Sequence, residues 1–560
     1  MTSFRWSALL VLCCVTFLVG LDRQAITDAD EAFYAEAGRE MLAGGDWITP
    51  HYNFEPRLQK PILYYWLVAA TYELVGVGEA PARFWAAMSG FGLALLSAAI
   101  ARRWFGPGPA LVAGAISATS FGVTMLTRMA LPDGPLAFFV TLSIWAAFEA
   151  VGTAPAASPR SWLFVSALSL ALGVLTKGPV AAVLVLIVVV PIVIWERRHP
   201  SGRCGLEHGP IRVADGVIAL ALFAAVTLPW FAAVTQANGI GYLHQFFVGE
   251  NLDRFATTQN NDVRSLWFYA PVLLGGLLPW SPFAILWLAP AARVLTRKRS
   301  LSTLEVRIAA WTLAPLAFFS VSIGKQPRYI LPCLVPLAVL LGRTIWHRVE
   351  QHRAAGLPAD RTLATAGMLS GATLAILGLL VLQVSPILSA AGSGWSRAGS
   401  IAVVVAGVAV FTSAITRRAR LLPLTLTLAA VVAGFVLQKS VFATGRPEPV
   451  ELAAASMLVG GQPPTACACG AFTRNLNFYT HAKTVVGDPT SEIERFLSSP
   501  DRVMAAVDGD ALAALEAKWQ RRLPRLLEVS YLNVAALRLG NLFDPDPSRV
   551  LQRVIVVANR

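Results

Sequence analysis

Apolar runs of roughly 18 to 25 residues recur along this chain, and a helical run of that length matches the hydrocarbon thickness of a bilayer. They predict membrane-crossing helices near 5–21, 84–101, 109–127, 134–151, 161–176, 179–195, 215–235, 266–289, 307–323, 329–346, 363–385, 400–416 and 421–440, about thirteen in all. The first run, "WSALLVLCCVTFLVGL", follows a single Arg as a secretory leader does. No A-x-A-like cleavage site follows it, however, and so many spans come after that it reads as an uncleaved anchor. Beyond Gln438 the pattern changes. Short β-like runs ("KTVVG", "RVMAAV", "RVIVVA") alternate with helical ones ("SEIERFLSS", "DALAALEAKWQRRL"), which predicts a small soluble α/β domain over 441–560. The expected fold is therefore mainly α: a polytopic helical domain over 1–440, then the α/β domain. The tail carries no glycine-rich phosphate loop and no evident nucleophile or base, which suits recognition or packing.

Charge orients this picture. Only 14% of the 560 residues are charged against 55% hydrophobic, so each charged cluster has to be explained by where it sits. A net charge of +13 would suggest a nucleic-acid partner in a soluble protein; here Lys and Arg gather in alternate loops, from Arg102 and Arg103 through Arg197, Arg198, Arg203 and Arg297 to Arg417, Arg418 and Arg420. Loops rich in Lys and Arg stay in the cytoplasm. An odd number of spans then puts the N-terminus inside and the tail outside, which in a Gram-negative cell is the periplasm. The six cysteines are scattered, Cys204 in a loop and Cys467 with Cys469 in the tail; with no C-x-x-C pair and a C-x-C spacing that suits a disulfide poorly, they read as unpaired.

The external face has two long loops, 22–83 and 236–265, and holds the informative exceptions. In the first, "ITDADEAFYAEAGREML" concentrates Asp28, Asp30, Glu31 and Glu36, with Phe33, Ala37 and Met41 at helical spacing. That spacing predicts a helix lying along the membrane interface with its apolar stripe down. A second helix, "KPILYYWLVAATYELVG", begins at Pro61, a favoured first helical position. Asp28-x-x-Glu31 fits a capping-box-like start, which is a purely structural account of those two acids and leaves Asp30 unexplained. Elsewhere "TRMALPDGPLAF" places Asp133 at the mouth of a span, "LTKGPVA" places Lys177 at the next external turn, "ENLDRF" places Glu250 and Arg254 in the long loop, and "SIGKQPRYILP" places Lys325, Arg328 and Tyr329 at the entrance to another span. Snorkelling anchors account for any one such cation. Four loops that each set Lys or Arg beside Gly, Pro or an aromatic point instead to a charged cavity, provided the loops converge, able to hold a phosphate at headgroup height.

Asp30-Glu31-x-x-Tyr34, "REMLAGGDWITP", "QKPILYYW", "LPDGPLAF", "LTKGPVA", "FFVGENLDRF" and "SIGKQPRYILP" occur in an order and spacing that resemble the integral-membrane (GT-C) glycosyltransferases. The nearest group is the aminoarabinose transferases that modify lipid A, relatives of the protein O-mannosyltransferases. The resemblance covers about residues 1 to 345 by motif and the remainder by architecture. It implies an inner-membrane enzyme with a periplasmic site, an undecaprenyl phosphate-linked aminoarabinose donor, a lipid A phosphate acceptor, inversion at the sugar carbon, and a role in resistance to cationic peptides such as polymyxin. It implies Asp30 and Asp133 as the essential carboxylates, Lys60, Arg254, Lys325 and Tyr329 as phosphate or headgroup contacts, Arg83 as a further polar position, and Glu31 and Tyr34 as parts of the first motif; Lys177 and Arg328 join them as external cations. Gln59 and Asn251 stand where many relatives have Glu and His, which removes two potential metal ligands, and the expectation is a metal-independent reaction by a monomer.

Sugar transfer from a polyprenyl phosphate needs its leaving group stabilised, and Lys60, Arg254 and Lys325 are the candidates. If the acceptor is a hydroxyl, an Asp must serve as base; if it is a phosphate, the nucleophile is already ionised and an Asp is better used to hold the donor's 4-amino cation. Two other readings stay open: the same architecture acting on a protein Ser/Thr or another envelope glycan, and a lipid transporter or flippase. A transporter, though, would carry its charges at mid-bilayer depth and in inverted repeats.

Overall fold

The structure, a computed structural model, describes residues 3–151, 159–198, 212–257, 263–418, 421–442, 447–459, 465–486, 492–532 and 539–559. Among them, ten helices are long and apolar enough to cross a membrane: 79–105, 133–151, 159–177, 180–198, 213–238, 303–321, 327–354, 361–383, 396–415 and 421–442. Large apolar side chains on their outer faces, such as Val213, Val217, Leu220 and Leu228, have no protein neighbours to cover them. That arrangement suits a lipid solvent. The pair Leu266–Gly276 and Ser281–Leu295 brings the number to eleven if it counts as one span, bent by 107°.

Thirteen spans were expected, and the difference lies in two places. The first apolar helix, Trp6–Leu18, is too short to count by length. The run at 109–127 is interrupted at Ser120, which takes an extended conformation between the helices Pro107–Thr119 and Phe121–Leu126. The two interrupted elements meet. Phe121 N–H donates to the Leu278 carbonyl at 2.9 Å, and Trp280 Nε1–H donates to Thr119 Oγ1 at 2.9 Å. Each break thus satisfies polar groups of the other, which is what an apolar interior demands.

The loop helix Asp30–Gly44 buries more than the one apolar stripe expected of it. Ala37 and Met41 are buried, but so are Ala32, Ala35, Glu36, Arg39 and Glu40, because the helix is packed between Leu63–Val75 and Leu476–Thr480 of the tail. Gly38 allows the close approach to Leu63–Val75, since a Cβ there would lie 2.5 Å from Val68 Cγ1.

The tail forms a five-stranded mixed sheet from β1 (Thr465–Cys469), β2 (Thr484–Val486), β3 (Val503–Asp508), β4 (Arg525–Leu532) and β5 (Leu551–Ala558), in the order β2-β1-β3-β5-β4. Strand β1 runs parallel to β2 and β3, while β5 is antiparallel to β3 and β4. Three of these strands were expected; β1 and β4 were not. No disulfide occurs among the described cysteines; the thiols of Cys467 and Cys469 touch at 3.2 Å on β1, and Cys204 and Arg203 lie outside the described residues.

Candidate active site

Asp133 is the first residue of its helix and Lys177 the last of the next, so each charge sits at the helix end whose dipole favours it. Gly178, at φ +87°, turns the chain back beneath Phe246, where a Cβ would lie 2.7 Å from the ring. This turn brings Lys177 Nζ within 2.5 Å of Asp133 Oδ1, with the Tyr329 ring 5.2 Å from the ammonium. Arg328, in a single 3-10 turn that Pro327 initiates, links both predicted carboxylates: Nη2 donates to Asp30 Oδ2 at 2.5 Å, and Nε lies 3.8 Å from Asp133 Oδ2.

The loops therefore converge. Lys60, Asp133, Lys177, Arg254, Arg328 and Tyr329 line one cavity of about 410 Å³, which continues between apolar walls that include Val180, Val183, Phe247, Phe318 and Phe319. Glu250 projects from a π-helical turn, Gln245–Asp253, and accepts from Lys60 Nζ at 3.1 Å and Arg254 at 3.3 Å. Burial pulls the Lys60 ammonium down to about 8, with Glu250 opposing the shift. Burial likewise works against the charge of Asp30, but Arg328, with Arg474 and Arg57, outweighs it and holds the carboxyl below its usual range. The Nε atoms of Arg254 and Arg328 are buried without a hydrogen-bond partner and so remain available to an anion.

Five predicted residues are not among those that line this cavity: Asp30, which reaches it through Arg328, and Glu31, Tyr34, Arg83 and Lys325. Glu31 is fully buried and bonds Arg83 at 2.7 and 3.0 Å, while Arg83 also donates to the carbonyls of Leu21, Gln24 and Ala25. Glu31 further accepts the N–H groups of Ala130 and Thr27, so this pair joins the first loop to the segment that leads into Asp133. Burial pushes the Tyr34 hydroxyl well up; its ring packs 5.5 Å from Tyr64 and 5.4 Å from Tyr65. Lys325 is buried, and its ammonium donates to the carbonyls of Ser322 and, at 3.1 Å, Arg264, holding the Arg328 turn against the 263–264 segment. The capping reading of Asp28 gives way to another: the helix starts at Asp30 after an uncapped Ala29, and Asp28 accepts the N–H groups of Thr473 and Arg474 at 3.1 and 2.6 Å.

Two residues that sequence reasoning missed stand beside Asp30. Arg57, its guanidinium 3.9 Å from the Phe33 ring, lies in the 22–83 loop, where the expected topology leaves few arginines, a signal that was readable. Arg474 lies 3.7 Å from Asp30 Oδ1 and belongs to the tail, where no sequence signal separates it from other arginines. Among the described residues no group of three or more His, Cys, Asp or Glu is arranged to hold a metal ion. Asn251, at the departure from the metal-ligand pattern, donates to the Phe246 carbonyl at 2.7 Å.

Residues 8–243 match the family described as dolichyl-phosphate-mannose-protein mannosyltransferase. The chain is 34% identical over 338 residues to an undecaprenyl phosphate-alpha-4-amino-4-deoxy-L-arabinose arabinosyl transferase of Edwardsiella ictaluri, covering 60% of this chain and 58% of the relative. It is 34% identical over 385 residues to the protein of that description in Pseudomonas aeruginosa, covering 68% and 66%. These matches span less than two thirds of the relatives' own length. Among solved structures, ArnT from Cupriavidus metallidurans is similar over 100% of this chain and 99% of its own, with a TM-score of 0.72 at 24% identity when bound to undecaprenyl phosphate and 0.74 at 22% in the apo state. The fold is thus shared from end to end, tail included.

Proposed function

We propose, from the premise that this chain is kin to the integral-membrane GT-C glycosyltransferases, that it moves 4-amino-4-deoxy-L-arabinose from undecaprenyl phosphate to a lipid A phosphate. One observation carries the reading: Asp30 and Asp133 meet on Arg328 at the rim of a cavity where Lys60, Lys177 and Arg254 also gather. The donor's phosphate sits at the Lys60 and Arg254 end, its first isoprenoid units along the apolar walls. An oxygen of the acceptor phosphate forms the new bond to the sugar's C1 as the bond from C1 to the polyprenyl phosphate breaks, and undecaprenyl phosphate leaves with the electron pair. Attack opposite the leaving group inverts C1. The charge growing on that group is met by Lys60, Arg254 and Lys177, and each ~1.4 kcal/mol of stabilisation is worth about tenfold in rate. Side-chain cations supply this stabilisation without a metal. Lys325 acts through position, because its ammonium is engaged by carbonyls. Arg83, Glu31 and Tyr34 act likewise, as the packed support of the first loop.

A phosphate acceptor needs no base, so Asp133, which lines the cavity, orients the sugar by pairing with its amino cation. The family match favours a second reading, a hydroxyl acceptor with Asp30 as base. Arg328 holds that carboxyl below its usual range, which makes it a weak base and supports the phosphate acceptor. The reading places the N-terminus in the cytoplasm and the site with the tail in the periplasm of the inner membrane, the chain acting as a monomer. In support, the helix that starts at the site side after Lys177 ends at Arg197 and Arg198.

The test uses purified protein with lipid A or a serine peptide as acceptor and with 4-amino or 4-hydroxy donors, in EDTA throughout. Transfer to lipid A that persists in the chelator is expected, with Asp133→Asn losing about 10²-fold or more on the amino donor and far less on the hydroxy donor. Equal losses would remove the orienting role, and product on the peptide alone would replace the acceptor.

A further inference from the structure

The tail does more than dock. Arg474 is held in place by the first loop: its N–H donates to Asp28 at 2.6 Å, its carbonyl accepts from the Tyr52 hydroxyl at 2.9 Å, and neighbouring Asn475 donates to the Ile26 carbonyl at 2.7 Å. Its backbone is thus fixed while its side chain, 46% exposed, reaches over the Phe33 ring at 5.4 Å to stand 3.7 Å from Asp30. At that separation the guanidinium feels the carboxylate's charge without hydrogen-bonding to the atom it faces, and its donors remain open to a ligand.

Charge balance sets the nature of that ligand. Arg328, Arg57 and Arg474 surround Asp30, and with Asp28, which accepts the backbone N–H groups of Thr473 and Arg474, three cations stand against two carboxylates, so this corner carries excess positive charge. Across Arg328 the cavity holds Lys60, Lys177 and Arg254 against Asp133 and Glu250, again with cations in excess. The charges alternate in a row from Lys177 through Asp133, Arg328 and Asp30 to Arg474. The row ends in a cation on each side, and each cationic end suits an anion. The first end, deep between apolar walls, suits a lipid-linked phosphate; the second is open and lies against the tail.

We propose that Arg474 contacts the phosphate of the acceptor, so that the tail supplies part of the acceptor site, on the opposite side of the carboxylate pair from the donor phosphate. The proposal rests on the transferase reading above. It explains why a domain with no catalytic signature is docked at Asp30, and it places nucleophile and leaving group on opposite sides of the sugar, as inversion requires.

The experiment is steady-state transfer by the full chain, with undecaprenyl phosphate-aminoarabinose as donor and lipid A as acceptor, each varied in turn. Arg474→Gln is expected to raise the acceptor KM about tenfold and leave the donor KM unchanged, with Arg474→Lys recovering part of the loss. An unchanged acceptor KM overturns the proposal. So does an equal rise in both KM values with a lowered Tm, which marks a structural role only. If the wild-type protein makes no product with lipid A, the transferase reading fails first; if it does and Arg474→Gln behaves like wild type, only the tail's role fails.

Discussion

Lys60 shows how one residue's setting becomes a rate. Its ammonium is held by Glu250 at 3.1 Å and by the carbonyl of Gln59 at 2.9 Å, and burial draws it down to about 8. The charge is present below that pH and is lost as pH rises through it. If Lys60 meets the donor's phosphate, kcat/KM for the donor falls above about pH 8 in the free enzyme's profile. Lys60→Arg, whose charge persists, should move the falling limb to higher pH; a limb that stays in place assigns it to another group. The charge of Lys60 was readable from the motif "QKPILYYW". Its depressed affinity for a proton was not, because that comes from burial by segments distant in the chain, the same packing that brings Glu250 to it from 190 positions away.

At the scale of elements, hydropathy located the helices but not their breaks. An apolar run through Ser120 or Pro279 looks continuous, since the residues that replace the missing helical hydrogen bonds belong to another segment. Packing of helix on helix was equally hidden. The helices 361–383 and 396–415 approach through glycines: a Cβ on Gly407 would lie 2.5 Å from Ala375 N, and one on Gly371 2.6 Å from Phe411 N. Backbone cannot yield as a flexible side chain does, so Gly407→Val is expected to cost about 1–3 kcal/mol or more. Thermal unfolding of the detergent-solubilised protein measures this, and an unchanged midpoint would show that the helices can separate freely.

The molecule as a whole depends on how the tail is seated. Asp28 accepts two tail N–H groups, Asn53 exchanges two hydrogen bonds with Thr484, and Tyr479 joins Ile26 to Glu79. Hydrogen bonds to a carboxylate contribute about 1.5–3 kcal/mol each. Asp28→Ala should therefore speed amide hydrogen exchange at Thr473 and Arg474 and raise the acceptor KM, while exchange in β3 and β5 stays slow; unchanged protection at 473–474 would show that the seat does not depend on Asp28. The sequence by itself determined the helical membrane domain, the α/β tail and the gathering of cations in alternate loops, because length, hydropathy and charge bias are local properties of a chain in a bilayer. Only the tertiary structure decided which charges stay free. Arg83 and Lys325 are engaged by Glu31 and by carbonyls, Arg328 holds Asp30 beside Asp133, and Arg474 arrives from the tail. The reason is physical: a buried charge takes its meaning from partners within a few ångströms, and here those partners lie up to hundreds of residues away in the chain.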